Sequence, residues 1–297
     1  MTELVGDSAR LLSARLQVIG LWDDARQELD VWAASKLKAR FWIRDDDAFE
    51  PSPSLERLRD VSVRFDTRIG LAIIPGKITP GLQEFLAENV HQFYPMCHGW
   101  KHVNYNLGKK PAEFGPDRPI SNMIADTEFA LHSFKECFSS SQPIFVPPFN
   151  RITPALIKTL PRVGFAGVSL MPSYLERKLL QLNSRMQWRG IVRMPEFKDG
   201  LRIDVHLDVI DWKARTAQRT NVVSDLLVQQ LRGRRLGLVQ PDAPIGLLTH
   251  HLEHDEPVWH ALDGMLDFLR SHESVEFIDV GRWIADNAAD QPCIADK

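Results

Sequence analysis

From about residue 40 onward, short apolar runs alternate with stretches whose apolar residues have helical spacing. The apolar runs are the candidate strands, and they are Phe41–Ile43, Ile69–Ile74, Val90–Met96, Ile144–Val146, Ala166–Leu170, Ile203–Trp212, Ile245–Thr249 and Val275–Val280. The helical candidates between them include Ser121–Phe138, Thr153–Val163, Val222–Arg232 and Val258–Arg270. Strands that alternate with helices predict a parallel sheet, open or closed into a barrel. Near-continuous apolar strands indicate a sheet that is covered on its outer face.

The N-terminal region has a different pattern. Apolar residues recur at helical spacing from residue 8 to about 38, which predicts one or two amphipathic helices packed outside the core. The length of 297 residues suits one main domain with an extension. We therefore expect a helical extension over residues 1–39, a main domain over residues 40–285 and a tail over residues 286–297.

Composition narrows the class of protein without identifying it. The chain is 44% hydrophobic and 25% charged, with a net charge of -3, which is typical of a globular fold. The run Arg232, Arg234 and Arg235 is interpreted as a solvated helix end, so no nucleic-acid partner is expected. No apolar run approaches the roughly 20 residues of a membrane span. Nor do the first residues follow the pattern of a signal peptide, and we predict a cytoplasmic protein.

Three cysteines, Cys97, Cys137 and Cys293, contain no CxxC pair and cannot all pair with one another. This usage favours a reduced compartment. Cys97 is next to His98 and could be a ligand or a nucleophile, but a buried structural thiol is the preferred interpretation.

Reactive side chains follow the predicted strands at their carboxyl ends. Asp45–Asp47 comes after the first strand, His98 after the third, and His250 after Ile245–Thr249. In a barrel of parallel strands, sites are built at this rim. Adjacent carboxylates at a buried strand end are costly unless a cation or a proton offsets their charge. The pattern predicts a metal ion together with a catalytic base.

His98 and His102 are four residues apart, which places both rings on one face if the segment is helical. Two imidazoles suit zinc or a similar metal, although two histidines satisfied by local hydrogen bonds are the alternative. One aspartate from the acidic run would complete a set of three protein ligands and leave positions open for water and substrate.

The order of these motifs resembles that of the polysaccharide deacetylases, also called NodB-homology or carbohydrate esterase family four enzymes. The resemblance spans about residues 40 to 285. Its five motifs are similar to Asp46-Asp47, His98 to His102, Val146-Pro147-Pro148-Phe149, Asp208 to Trp212, and Leu248-Thr249-His250.

The chain departs from the family at specific positions. Gly99 replaces a hydroxyl residue, Phe149 replaces a tyrosine, and Ala48 replaces the usual glycine. Val146 stands where the family has an arginine that orients the base. Arg44 and Lys101 are the two candidates for supplying that missing positive charge.

The resemblance implies a distorted (β/α) barrel of about seven strands that holds one divalent metal ion. Zinc is the expected ion, with cobalt, nickel or manganese as alternatives. The implied metal ligands are Asp47, His98 and His102. The implied catalytic residues are Asp46 as base, His250 as acid and Asp211 or Asp208 as the residue that orients His250. The expected substrate-contacting residues are Pro148, Phe149, Trp212 and Trp100. His251 and His254 are expected to be structural.

The expected activity is removal of acetyl groups from an N-acetylated sugar or short saccharide through metal-activated water. Two alternatives remain open from the sequence. One is a metal-dependent amide or ester hydrolase that acts on a non-sugar substrate, and the other is a degenerate sugar-binding barrel. The predicted partner is an acetylated carbohydrate or related small molecule made inside the cell, and the oligomeric state is left open.

Overall fold

A computed structural model describes residues 21–108, 110–186 and 201–289 of the chain. The strands are β1 (Ala39–Ala48), β2 (Ile69–Ile73), β3 (Phe93–His98), β4 (Ile144–Val146), β5 (Gly167–Val168), β6 (Leu201–Arg202), β7 (Val205–Asp208), β8 (Ile210–Asp211), β9 (Thr216–Ala217), β10 (Ile245–Thr249) and β11 (Val275–Phe277). The helices are α1 (Asp23–Ala34), α2 (Pro53–Arg64), α3 (Pro80–Glu88), α4 (Ile120–Cys137), α5 (Pro154–Ile157), α6 (Leu160–Val163), α7 (Tyr174–Met186), α8 (Thr220–Arg235), α9 (Glu256–Arg270) and α10 (Val280–Ala289). Short 3₁₀ turns lie at Pro75–Lys77, Pro148–Asn150 and His251–Glu253.

The main sheet is parallel and curls on itself. Its order is β6-β5-β4-β3-β2-β1-β10-β7, and β11 pairs with the start of β1. The Ile203 N–H donates to the carbonyl of Val168 in β5, while Val205 lies in register with Gly246 of β10. The continuous segment 201–208 therefore joins both ends of the sheet. The prediction of a distorted barrel with surrounding helices is confirmed.

Side-chain alternation along β1 separates two apolar layers. Phe41 and Ile43 belong to the core cluster that extends to the outer helices, whereas Trp42 belongs to a smaller cluster with Val146 and Leu248 inside the barrel. Because successive side chains of a strand point to opposite faces, Arg44 continues the inner row. The inner row ends at the carboxyl rim, where the charged residues begin.

Three helices begin shortly after a strand ends, and a capping side chain fixes the N-terminus of each. Ser52, Thr79 and Asp255 each accept a hydrogen bond from a backbone N–H in the first turn of α2, α3 and α9, respectively. Each of these helices also has proline in its first turn, where the missing N–H costs no hydrogen bond. These caps keep the rim loops short beside the candidate site.

The described part of the N-terminal extension is one helix, and a buried carboxylate holds it to the barrel. Glu28 of α1 receives hydrogen bonds from Arg232 Nε at 3.0 Å and Arg235 Nε at 2.6 Å, both on α8. Arg234 is only 3% exposed, and its guanidinium bonds the backbone carbonyls of Ala243 and other nearby residues. The interpretation of this run as a solvated helix end is wrong, because all three arginines bind protein groups.

Two predicted elements are divided in the structure. The stretch Thr153–Val163 forms α5 and α6, with Pro161 in the first turn of α6. The predicted strand Ile203–Trp212 breaks after Asp208, whose carboxylate accepts the Ile210 N–H at 2.9 Å. Residues 1–20, the tail from residue 290 and Cys293 lie outside the described residues. Among the helices that are described, none has the length and apolar character to cross a membrane.

Candidate metal centre

The three consecutive aspartates of β1 have three different partners. Asp45 is fully buried and accepts hydrogen bonds from the backbone N–H of His251 at 2.8 Å and from its Nδ1 at 2.5 Å. Asp46 pairs with Arg44 inside the barrel. Asp47 has a φ of 75°, a left-handed conformation that aspartate tolerates better than most residues. That turn aims its carboxylate at two histidines of a different segment.

Asp47, His98 and His102 form a compact set of donor atoms. Asp47 Oδ1 lies 3.0 Å from His98 Nε2 and 3.1 Å from His102 Nε2. One donor atom from each residue lies within 4.8 Å of the others. The His98 side chain is 1% exposed, whereas those of Asp47 and His102 are 25% and 20% exposed. The cluster is therefore anchored in the barrel and open on one side.

The hydrogen bonds of His98 fit a metal ligand. Its Nδ1 lies 3.1 Å from the carbonyl oxygen of Val146, which can only accept a proton. With Nδ1 protonated, the neutral ring presents a lone pair at Nε2 towards the Asp47 carboxylate, also an acceptor. Two facing acceptors require either a second proton or a cation between them. Metal-bound histidines characteristically donate their other N–H to a carbonyl in this way. The donor set fits a divalent cation such as zinc.

The segment between the two histidines is a loop, so the condition of a shared helix face is not met. Gly99 and His102 both have positive φ, 58° and 56°, and reverse the chain. A Cβ at Gly99 would overlap the Glu113 carboxylate and the Pro148 ring. Glu113 is buried and accepts the backbone N–H groups of Trp100, Lys101 and His102 at 3.3, 2.9 and 3.3 Å. This carboxylate fixes the loop that presents His102.

The electrostatics of the cluster favour the ligating forms of Asp47 and His102. Burial opposes ionisation of Asp47, but the hydrogen bond from His98 and the charges of His98, His102 and His250 hold its pKa well below the usual range. Burial lowers the pKa of His102 to about 4. For His98, burial is outweighed by Asp46 and Asp47, and its pKa is raised. Without a metal ion, His98 is therefore the site that retains a proton.

Beside this cluster, Arg44 and Asp46 form a fully enclosed ion pair. Arg44 Nε donates to Asp46 Oδ1 at 2.8 Å and Nη2 donates to Oδ2 at 2.9 Å. The guanidinium also reaches Ser169 after β5 and Asn150 after β4. Of the two residues proposed to supply the missing positive charge, Arg44 contacts Asp46. Lys101 is exposed, and its Nζ lies 5.3 Å from the ring of Trp100.

His250 lies close to Asp46. Its Nε2 is 3.9 Å from Asp46 Oδ2, and its Nδ1 is buried without a hydrogen-bond partner among the described residues. Trp212 meets the His250 ring edge to face at 4.6 Å and donates Nε1–H to Asp208 Oδ2 at 2.8 Å. Trp212 is 42% exposed, so its ring forms part of the open wall beside His250.

Asp208 and Asp211, the two candidates for orienting His250, have different partners in the structure. Burial raises the pKa of Asp208, and the nearby charge of His250 opposes that rise. Asp211 instead accepts the backbone N–H groups of Lys213 and Ala214 at 3.0 and 3.1 Å in the turn between β8 and β9. None of the contacts among the described residues joins Asp211 to His250. Asp208 is therefore the one of the two candidates that interacts electrostatically with His250.

The remaining predicted substrate residues line the same rim. Phe149 has a φ of 59°, and its ring centroid lies 4.3 Å from that of His102. Pro148 is buried beside Gly99. Trp100 is half-buried and stacks on Phe129 of α4 at 6.2 Å, so this ring has a protein partner as well.

Strained backbone is concentrated around the cluster. Seven described non-glycine residues have positive φ, and four of them belong to the rim just described, namely Asp47, His102, Phe149 and Asn150. Such conformations cost roughly 1–3 kcal/mol each and are retained where the surrounding structure fixes them. Their grouping at one edge of the barrel coincides with the candidate metal centre.

Two further histidines and one cysteine have local structural partners. His251 is fully buried against Asp45, and His254 Nε2 lies 2.5 Å from Thr249 Oγ1. Cys97 is fully buried, and burial raises the pKa of its thiol well above the usual value. A thiol in that state is a poor nucleophile. These contacts agree with the expected structural roles.

Sequence reasoning did not assign roles to Glu113, Ser169 or Asn150. Glu113 is 11 residues beyond His102, and Ser169 and Asn150 meet Arg44 only across the folded barrel. No spacing signal connects them to the motifs. The sequence did contain a signal for Arg44, because a residue two positions before Asp46 on the same strand points to the same face of the sheet as Asp46.

Comparison with known proteins found similarity in structure. No protein-family model and no curated protein matches the chain in sequence. The fold is similar to a family 4 acetyl xylan esterase from Clostridium thermocellum in complex with a cobalt ion, with 15% identity, a TM-score of 0.45, and coverage of 83% of this chain and 90% of that one. It is similar to peptidoglycan deacetylase PdaC from Bacillus subtilis, with 12% identity, a TM-score of 0.47, and coverage of 85% and 94%. The chitin deacetylase from Colletotrichum lindemuthianum has 11% identity, a TM-score of 0.47, and coverage of 83% and 87%.

Proposed function

We propose that the chain is a metal-dependent hydrolase that removes acetyl groups from an N-acetylated sugar or short saccharide. One observation carries the proposal. The donor cluster of Asp47, His98 and His102 lies beside a buried carboxylate, Asp46, and a histidine, His250, whose Nε2 is 3.9 Å from that carboxylate. A simple sugar-binding site has no need of a base and an acid beside a metal centre.

The metal ion would be held by Asp47, His98 and His102, and zinc suits two imidazoles and one carboxylate. A divalent cation bound there supplies Lewis-acid polarisation of a water molecule and of the acyl oxygen. The partial exposure of Asp47 and His102 leaves an approach to the cluster from solvent.

Asp46 is proposed to accept the proton of the attacking water at one of its oxygens. His250 is proposed to donate a proton from Nε2 to the departing amine, the step that makes nitrogen a viable leaving group. Trp212 would keep bulk water from His250 on one side. Phe149, packed on the His102 ring, would form the apolar wall that the acetyl methyl group contacts.

The metal content of the purified chain is the primary test. Wild type, Asp47→Ala, His98→Ala and the exposed control His132→Ala are stripped, refilled with zinc and measured by elemental mass spectrometry. We expect about one ion per chain in wild type and control, and none in the two ligand variants. A wild-type protein that retains no ion would exclude the metal-dependent hydrolase.

Substrate class is tested on the same preparations. Acetate release from N-acetylated chito-oligosaccharides is compared with release from simple acetyl esters and from acetylated non-sugar amides. Release from the saccharides by wild type and the His132→Ala control supports the proposal, with activity lost in Asp47→Ala. Turnover of only the other compounds would replace the sugar by another acyl substrate. A metal-loaded protein inert towards all three would point to sugar binding without catalysis.

A further inference from the structure

The position of Arg44 in the barrel is determined by β1. Arg44 and Asp46 are two residues apart on this strand, so both side chains face the barrel interior. Arg44 is fully buried, and the Asp46 side chain is only 2% exposed. Burying a charge of either sign costs several kcal/mol unless it is paired and hydrogen-bonded. Pairing Arg44 with Asp46 therefore offsets the cost of burying both charges on this strand.

All five N–H donors of the Arg44 guanidinium have acceptors. Nε and one hydrogen of Nη2 go to the two oxygens of Asp46, and the other hydrogen of Nη2 goes to Asn150 Oδ1 at 2.6 Å. Nη1 donates to the carbonyl oxygen of Ser169 at 3.1 Å and to its Oγ at 2.8 Å. A guanidinium has five donors in a fixed planar fork. Because every donor is engaged, the plane of the guanidinium is fixed. The bidentate contact then fixes the plane of the Asp46 carboxylate as well.

The acceptors come from separate strand ends. Ser169 follows β5 and Asn150 ends the 3₁₀ turn after β4, whereas Arg44 projects from β1, three and four strands away in the sheet order. The guanidinium therefore ties the carboxylate to the opposite wall of the barrel. At the end of β4, Val146 is buried in the inner apolar cluster, and its carbonyl holds His98 Nδ1. Val146 therefore supports the metal ligand His98 and has no charged side chain that could pair with Asp46.

We propose that Arg44 is the positioning residue for Asp46, so that the same strand supplies both the base and the cation that orients it. This inference rests on the proposed role of Asp46 as base. Lysine cannot replace Arg44 in this role, because an ammonium is a point charge without the two-pronged geometry. Arg44 does not touch substrate and acts through Asp46 alone. The metal ligands are separate from this pair and keep their ion when it is broken.

The test is a double-mutant cycle over Arg44→Met, Asp46→Asn and the double variant. Arg44→Lys is added as the conservative change, and Arg282→Met, whose side chain is 83% exposed, is the matched control. Each protein is assayed for zinc content, for kcat and KM on N-acetylated chito-oligosaccharide, and for the crystal structure of the zinc-loaded form. The double variant removes both buried charges, so it is expected to fold even if Arg44→Met alone does not.

We expect Arg44→Met to lower kcat about 100-fold, the order of a lost general-base contribution, with KM changed less than about threefold. Arg44→Lys should recover less than a tenth of the lost kcat, and zinc should stay at one ion per chain. In the Asp46→Asn background, removing Arg44 should lower kcat no further. Retention of wild-type kcat in Arg44→Lys, or additive losses in the cycle, would overturn the proposal.

The crystal structures separate this inference from the proposed function. A metal-loaded wild type that releases no acetate would remove the proposed activity, and Arg44 would then be judged by geometry alone. In Arg44→Lys we expect the Asp46 carboxylate to rotate away from its wild-type plane while Asp47, His98 and His102 stay in place. An Asp46 carboxylate that keeps its plane without the guanidinium would show that Arg44 does not position it.

Discussion

The metal side and the base side of the site are built differently. On the metal side, Asp47 and His102 are partly exposed and their backbone has positive φ, and a loop clamped by Glu113 carries His102. On the base side, Arg44 and Asp46 are almost wholly buried on one continuous strand. The open side allows a ligand to enter and leave, whereas the enclosed side keeps a fixed geometry.

This difference predicts which property a substitution on each side should change. Loss of a group that supports the metal side weakens ion binding, since the loop can rearrange towards solvent. Loss of a group on the base side leaves a buried charge unpaired or a reacting group misplaced while the ion remains. Metal content and kcat, measured on the same variants, therefore distinguish the two sides.

The largest effect is expected from His250→Ala. Because His250 is the proposed general acid, its removal should lower kcat by roughly 10²–10⁴-fold, while zinc content stays at about one ion per chain. His260→Ala, a change of an exposed histidine on α9, is the control and should keep wild-type kcat. Loss of zinc in His250→Ala would instead place His250 on the metal side.

Glu113→Gln should act on the metal side alone. Glutamine has one acceptor oxygen, and its amide donor would face the N–H groups of Trp100, Lys101 and His102, so the His102 loop should loosen. We expect zinc affinity to fall about 10–100-fold, as for other residues that support metal ligands. Competition with a chelator measures it. Glu136→Gln, at an exposed site on α4, should leave affinity unchanged, and an unchanged affinity in Glu113→Gln would contradict the clamping role.

Zinc affinity should also depend on pH through His98. Its pKa is raised in the metal-free protein because Asp46 and Asp47 outweigh burial, so below that pKa the ion must displace a proton. Affinity should therefore fall as pH falls, by about tenfold per pH unit for one displaced proton. Calorimetry in two buffers of different ionisation enthalpy measures the proton released. Affinity that rises with acidity would contradict the assignment of His98 as a neutral ligand.

The fold and the metal donors could be predicted from local signals. Apolar runs located β2, β4 and β10 almost residue for residue, because buried parallel strands leave an uninterrupted pattern. Strand-end position and spacing suggested His98, His102 and one aspartate of the run Asp45–Asp47, and the family resemblance implied that this aspartate is Asp47. The loop between the histidines was not predicted, since the contacts of Glu113 with its backbone exist only after folding.

Contacts between distant parts of the chain account for the other differences. The arginines of α8 resemble a solvated helix end until α1 is packed against them through Glu28. Asp208 and Asp211 are equivalent in the sequence motif, and only the turn at Ile210 separates their partners. Zinc as the ion, the cytoplasmic location and the division at residues 39 and 285 stay predictions.

The smallest effects are expected from substitutions of Asp208 and Asp211. Asp208 is half-buried and accepts Trp212 Nε1–H, and Trp212 contacts the His250 ring. Asp208→Asn should therefore lower kcat by about tenfold through a misplaced His250 and Trp212, with zinc content unchanged. Asp211 caps the turn between β8 and β9 through the backbone N–H groups of Lys213 and Ala214. Asp211→Asn should therefore keep kcat within about twofold and cost about 0.5–1 kcal/mol of unfolding free energy. Kinetics and denaturant unfolding on both variants measure the contrast. The reverse pattern, with kcat sensitive to Asp211 and not to Asp208, would return the orienting role to Asp211 and require the β8–β9 turn to close over His250 when substrate binds.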